Sequence, residues 1–288
     1  MPIGVHSNAS GGLAKTALAY VDTIGAGAVQ VYIGNSRSWA QAVGDPQQDA
    51  LFADGCAERN IPSFIHAPLL VNLGSPTPAT LEKSVEAIAH ALRRGKAIGA
   101  RGVVFHAGSS VDPTYTDQAW KQVREALLPL LDATEALGGP QLLVEPSAGG
   151  GRSLAARVEQ LADYFEAVEQ HPALGVCFDT CHAWAAGHDL ATAGGTTATL
   201  DALVEAVGEG RLKLVHANDS KDPVGSTRDR HEAIGRGTIG LAAFAELLAH
   251  PAVEGVPLVV ETPSESHRDD LAALRSVAPR VENPTPLA

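Results

Sequence analysis

VCFDT, residues 176–180, is a short apolar run that ends on a carboxylate, Asp179. Five other runs end in the same way. FIHAP closes on His66, VVFHAG on His106, LLVEP on Glu145, KLVHAND on His216 and LVVET on Glu261. One His or Asp at the end of a strand is ordinary. Six strand-like segments in succession, each presenting His, Asp or Glu at its carboxyl end, describe a ring of ligands around one pocket. In a parallel β/α barrel that end is where active sites form.

The rest of the chain fits a barrel. Strand-like segments fall at about 3–7, 28–34, 62–67, 102–107, 141–146, 174–180, 212–218 and 257–262. They are rich in Val, Ile, Leu and Phe without clean alternation, as strands covered on both faces should be. Between them, residues 81–100, 117–138 and 153–171 carry apolar side chains at helical spacing. Eight such alternations predict an α/β protein, a single (β/α)8 barrel with a metal site at the C-terminal face of the strands. The barrel domain is expected over 1–281, followed by a short polar tail at 282–288. The longest non-periodic stretch, 218–240, is the kind of loop that is usually functional inside a barrel.

Composition narrows the class. With 288 residues and 45% hydrophobic content the chain can bury one large core. No run approaches the roughly 20 apolar residues of a membrane span, and the start does not read as a signal peptide. Cys56, Cys177 and Cys181 form no zinc-type pairs and read as free thiols of a reducing, cytoplasmic compartment. The net charge of −12 argues against a generic nucleic-acid binder. Bound cations change that locally: four carboxylates and three divalent ions would leave a pocket of about +2, because bound ions dominate local fields.

Glu145, Asp179, His216 and Glu261 end strands five to eight, which are neighbours around a barrel. Three facing carboxylates would repel and raise one another's pKa unless a cation lies between them. His66 and His106 extend the ring on strands three and four, and imidazole favours zinc, iron or manganese. Glu145 lies between the two groups and is the natural bridging carboxylate. His182, three residues after Asp179, and the Asp229–His231 pair form a third cluster in loops. Two His and one Asp with open positions match a catalytic zinc site.

At this point the chain resembles the endonuclease IV family, zinc-dependent apurinic/apyrimidinic (AP) endonucleases of the xylose-isomerase-like TIM barrel superfamily. The resemblance runs from GVHSNASGGL near residue 4 to LVVETP near 263. Its most specific segments are HAPLLVNLGSP (66–76), GVCFDTCHAWAAGHDL (175–190) and HANDSKDPVGSTRDRHEAIGRGTIG (216–240). It implies three zinc ions per chain, with Mn2+ or Fe2+ able to replace some. His66, His106 and Glu145 would hold one; Glu145, Asp179, His216 and Glu261 a second; His182, Asp229 and His231 the third. It implies hydrolysis of the phosphodiester 5′ to an abasic site, leaving a 3′-hydroxyl and a 5′-deoxyribose phosphate, with related 3′-end trimming. The partner would be double-stranded DNA with abasic sites or blocked 3′ ends, met by a monomer in the cytoplasm, at the nucleoid.

The expected catalytic carboxylates are Glu261, which would orient or deprotonate the attacking water, and Glu145. Arg37, Leu69 and Leu70 sit where the family reaches into DNA, although family members often carry Tyr at the first of the two Leu positions. Asn8, Asn218, Lys221 and Arg228 are expected phosphate contacts. His6 reads as a residue behind the ligands or a structural one, and His188 as surface or structural. The family's Glu-Asn-Thr is here Glu145-Pro146-Ser147, which is expected to alter hydrogen bonds to Glu145. The alternatives are a metal-dependent sugar isomerase or epimerase of the same superfamily, and a DNA-damage binding protein that has lost catalysis.

Overall fold

Gly4 shows how tightly the strands are wound: a β-carbon there would lie 1.8 Å from the backbone oxygen of Ala28 on the next strand. The computed structural model describes residues 1–279, so the expected tail at 282–288 lies outside the described residues. Ten strands occur among them: β1 (Ile3–Ser7), β2 (Val29–Val31), β3 (Ser63–His66), β4 (Gly102–His106), β5 (Gln141–Glu145), β6 (Leu174–Asp179), β7 (Leu212–His216), β8 (Asp219–Ser220), β9 (His231–Glu232) and β10 (Leu258–Val260). Eight of them close a parallel barrel in the order β1-β10-β7-β6-β5-β4-β3-β2. The helices are α1 (Ala19–Ile24), α2 (Pro46–Glu58), α3 (Pro78–Ala97), α4 (Thr116–Leu137), α5 (Leu161–Ala167), α6 (Thr180–Ala185), α7 (Gly195–Val207), α8 (Leu241–Ala249) and α9 (His267–Val277). Among the described residues no helix is long and apolar enough to cross a membrane.

Apolar packing is split in two, as the period of a strand requires. Outward-facing residues such as Val5, Ile65, Val103, Val144 and Phe178 pack under the helices. Inward-facing residues Ala28, Phe64, Val104, Leu143, Cys177, Leu214 and Val259 form a separate cluster inside the barrel. That inner layer is the floor on which the site stands.

Two sequence expectations are corrected. The helix expected at 153–171 is regular only over Leu161–Ala167, after a tight turn at Val158–Gln160. Residues 152–155 instead bond to neighbouring loops: Ser110 N–H donates to Arg152 O, Leu154 N–H to Gly108 O and Ser147 N–H to Ala155 O. The stretch 218–240 is not featureless, because β8 and β9 pair antiparallel within it. Asp219, fully buried, gathers the far side of that loop by accepting from the N–H groups of Gly235, Gly237, Ile239 and Gly240.

Removing the Asp219 carboxylate would strand those donors. We expect Asp219→Ala to lower stability by about 3 kcal/mol, the scale for losing hydrogen bonds to a buried charged group. Chemical denaturation checks it, and an unchanged midpoint would show that the loop does not depend on Asp219.

Candidate metal centre

Two residues beyond each member of the inner layer, the same strand face reaches the barrel mouth. Phe64 is followed by His66, Val104 by His106, Leu143 by Glu145, Cys177 by Asp179, Leu214 by His216 and Val259 by Glu261. The two remaining strands contribute Gln30, two beyond Ala28, and His6, two beyond Gly4. Strand register brings neighbours level: His6 with Gln30, His106 with Glu145, and Asp179 with His216.

Glu145, with no exposed surface, lies at the centre. Its Oε2 is 3.3 Å from His66 Nε2 and 3.5 Å from His106 Nε2. Its Oε1 is 3.1 Å from His216 Nδ1 and 3.2 Å from His182 Nδ1. His216 Nδ1 also lies 3.3 Å from Glu261 Oε2 and 3.8 Å from Asp179 Oδ2. In the loops, Asp229 stands 3.3 Å from His182 Nε2 and 2.9 Å from His231 Nε2. One donor atom from each of His66, His106 and Glu145 lies within 4.8 Å of the other two, and the same holds for Glu145, Asp179, His216 and Glu261, and for Asp179, His182 and His231. Cys181, expected to be a plain free thiol, also falls within that distance of Asp229 and His231. Burial pushes its thiol up to about 12.

The rings are aimed by the backbone. Nδ1–H of His66 donates to Ala67 O (2.7 Å), that of His182 to Pro146 O (3.0 Å) and that of His231 to Glu261 O (3.3 Å). Such partners fix which nitrogen is free to bind metal. They also bear on Pro146-Ser147. Residue 146 contributes its carbonyl, which any side chain would leave in place, and the Ser147 hydroxyl donates to Ser153 Oγ (2.6 Å). Glu145 takes the side-chain contacts described above from four histidines.

Asn218 is a further correction. It is fully buried, so it cannot meet DNA phosphates. Its amide nitrogen donates to Asp179 Oδ2 (2.8 Å) and its oxygen accepts from Glu261 N–H (2.8 Å), which ties the Asp179 carboxylate to the main chain of Glu261. Arg37, Leu69, Asn8, Lys221 and Arg228 are exposed, and Leu70 is half-buried. Leu69 N–H donates to Ser36 O (2.9 Å), which ties its loop to the one carrying Arg37. His6 stands behind the ring, with Nδ1 3.1 Å from Glu261 Oε1. His188 is structural: it is buried and accepts from Val158 N–H (3.2 Å). Two residues escaped the sequence reading. Tyr32 packs its ring 4.5 Å from His6 and 5.2 Å from His66, and Gln30 is buried between Glu261 and His216. The signal for Gln30 was present, as the one amide inside AVQVYIG (28–34). A cavity of about 720 Å3, lined by His6, Asn8, Tyr32, Asn35 and Gln48, opens beside the ring.

Without a cation, protons must balance these carboxylates. Burial opposes charge on Glu145, but His216, His182 and His66 hold its carboxyl well below the usual range. Glu261 is likewise lowered, against burial, by His216 and His6. Burial raises Asp179. Burial also works against charge on His182, yet Asp179, Asp229 and Glu145 raise it well above the ordinary value. His231 is raised, against burial, to about 9 by Asp229, Asp179 and Glu261. His106, buried and less well paired, is lowered to about 4.

The donor set fits divalent metal ions. It consists of imidazole nitrogens and carboxylate oxygens, which suit zinc, manganese or iron. His231 Nε2 is buried and makes no aligned hydrogen bond, although Asp229 Oδ1 is only 2.9 Å away. Two donor atoms that close and not aimed at each other are disposed to share a third partner.

Metal uptake should therefore release protons, because His182 and His231 must lose theirs to bind. Both pKa values are raised, His231 to about 9, and that sets the sign: apparent affinity rises with pH across neutrality. Chelator-competition titrations with Zn2+ between pH 6 and 9 check this. An affinity independent of pH would mean that neither ring binds metal.

Comparison with known proteins agrees with the geometry. A family model described as xylose isomerase-like TIM barrel matches residues 18–277. The chain is 52% identical over 278 residues, 96% of its length and 90% of the relative's, to a probable endonuclease 4 of Streptomyces avermitilis. Endonuclease IV from Thermus thermophilus superposes with a TM-score of 0.83 at 33% identity, covering 96% of this chain and 98% of that one. A D-tagatose 3-epimerase-like protein shares the fold, with a TM-score of 0.71 at 16% identity over 96% of this chain and 97% of its own.

Proposed function

Because the chain belongs to the endonuclease IV family, DNA-cleaving hydrolases built on the xylose isomerase-like TIM barrel, we propose that it repairs DNA by hydrolysing the phosphodiester 5′ to abasic sites. The products would be a 3′-hydroxyl and a 5′-deoxyribose phosphate, and blocked 3′ ends would be trimmed at the same site. The enzyme would act as a monomer in the cytoplasm, at the nucleoid. The observation that carries this reading is the convergence of nine ligand-type residues on the barrel mouth, including His182 from the start of α6, Asp229 from a loop and His231 from β9. A sugar isomerase of the same barrel needs one or two ions and would leave that third group without a use.

Three zinc ions are the proposed complement. His66, His106 and Glu145 would hold one, Glu145, Asp179, His216 and Glu261 the second, and His182, Asp229 and His231 the third. Bound there, they would stabilise charge on the attacking and leaving oxygens of an in-line displacement and make water acidic enough to react near neutral pH. The protein's own part is positioning. Glu145, between two groups of imidazoles, keeps them at a fixed separation. Glu261 is ionised, with Oε1 held by Gln30 and His6 and Oε2 turned to the ring. It is therefore placed to orient the attacking water or accept its proton. No Ser or Cys nucleophile is needed.

The acidic chain must still find DNA. Arg37 and Leu69, on loops joined at Ser36, are the proposed probes of the damaged duplex, with Leu70 behind them. An abasic nucleotide has no base to unstack, so extruding it costs less than extruding a normal one. Apolar wedges can fill the gap that remains.

A duplex with one tetrahydrofuran abasic analogue tests the activity. The protein should nick it on the 5′ side, and a chelator should abolish nicking. Glu261→Gln should cut the rate at least ~10²-fold, the range of general-base effects, while binding persists. Nicking that survives both metal removal and this substitution would overturn the mechanism.

Leu69→Ala with Leu70→Ala should weaken abasic-duplex binding by ~1–3 kcal/mol, the scale of lost base-stacking contacts. Intact duplex should be little affected, because phosphate contacts dominate there. Paired titrations at one salt concentration decide it: equal losses on both duplexes would assign the leucines to loop packing.

A further inference from the structure

Gln30 is an amide with no exposed surface, set among charged groups inside the barrel. Its Nε2 lies 2.7 Å from Glu261 Oε1 and its Oε1 lies 2.9 Å from His216 Nε2. An ionised carboxylate can only accept, so the nitrogen of the amide must face Glu261. The amide carbonyl then faces His216, whose Nε2 must carry the hydrogen. That leaves His216 Nδ1 as the ligand atom, 3.1 Å from Glu145 Oε1 and 3.3 Å from Glu261 Oε2. This ring is used the opposite way round from His66, His182 and His231, which donate through Nδ1 to backbone carbonyls. Those three are aimed by main chain. His216 is aimed by a side chain that reaches from β2 past β1 and β10 to β7.

We propose that Gln30 is a positioning residue that uses one amide to set two ligands of the second ion at once. Its carbonyl fixes the tautomer and tilt of His216. Its N–H holds Glu261 Oε1 back, so that Oε2 is the oxygen offered to the ring. The same amide nitrogen lies 2.9 Å from His6 Nδ1, so both nitrogens converge on Glu261 Oε1. This inference rests on the metal reading above and adds a residue to it that contacts no ion.

Two substitutions separate the two hands. Gln30→Leu fills the space and removes both hydrogen bonds. Gln30→Glu keeps an acceptor for His216 but turns a like charge on Glu261. The measurements are zinc per chain against a chelator of known affinity, and 15N NMR of the imidazoles in zinc-loaded protein. Wild type should show His216 protonated at Nε2 with metal at Nδ1. Gln30→Leu should remain folded by thermal melting and bind one of its ions 10–100-fold more weakly, as is usual when a ligand's hydrogen-bond partner is lost. Its His216 should also lose the single nitrogen pattern. Gln30→Glu should keep that pattern and still lose affinity. Unchanged zinc affinity and an unchanged His216 pattern in Gln30→Leu would overturn the inference alone. A wild-type His216 that binds metal through Nε2 would overturn it even if neither variant folds. Wild type that binds no metal would overturn the metal reading, and this inference with it.

Discussion

The structure turns on one carboxylate that water cannot reach. Glu145 sits at the centre of the barrel mouth with no exposed surface, and four imidazoles from β3, β4, β7 and the start of α6 face its two oxygens. A charge buried so completely is costly unless it is paired on every side. The surrounding architecture supplies that pairing: a barrel that delivers one ligand-type side chain at the end of each of six strands, and a loop that folds back to add a second layer. The same demand explains why the site fits cations, since Glu145, Asp179, Asp229 and Glu261 crowd one small volume.

Meeting the demand takes more than ligands. His66, His182 and His231 are each held by a backbone carbonyl, so their aim survives changes in neighbouring side chains. The aim of His182 thus needs only the carbonyl of Pro146, not its side chain. Asn218 and Gln30 do by side chain what main chain does elsewhere, and both are buried amides with each end used. A buried polar network of this kind is rigid only if each member is satisfied. Sites of that type fail through their supporting residues as readily as through their ligands.

The chain also reconciles an acidic protein with an anionic substrate. A charge of −12 would repel DNA at long range, so attraction must be local. Exposed Arg37, Lys221 and Arg228 stand on loops at the mouth, and metal ions would reverse the sign of the pocket itself. Recognition then depends on what the duplex can present at short range.

Much of this was legible in the sequence because strands alternate with a fixed period. Once apolar runs such as VCFDT and LLVEP are taken as parallel strands, the residue at the end of each must lie at one rim, and the six end residues must face one another. The DTCH and DRH segments marked the third cluster by residue type alone. Sequence could not give the side chains whose role depends on what lies across the barrel. Gln30 and His216 are 186 residues apart, and Asn218 looked like a surface contact until folding buried it between Asp179 and Glu261. Nor could it show that 153–160 leaves the helix, because the backbone bonds that hold that segment come from the loop after β4. Local pattern determined which residues face inward; only closure of the barrel decided which of them meet, because that depends on strands far apart in the chain being brought level.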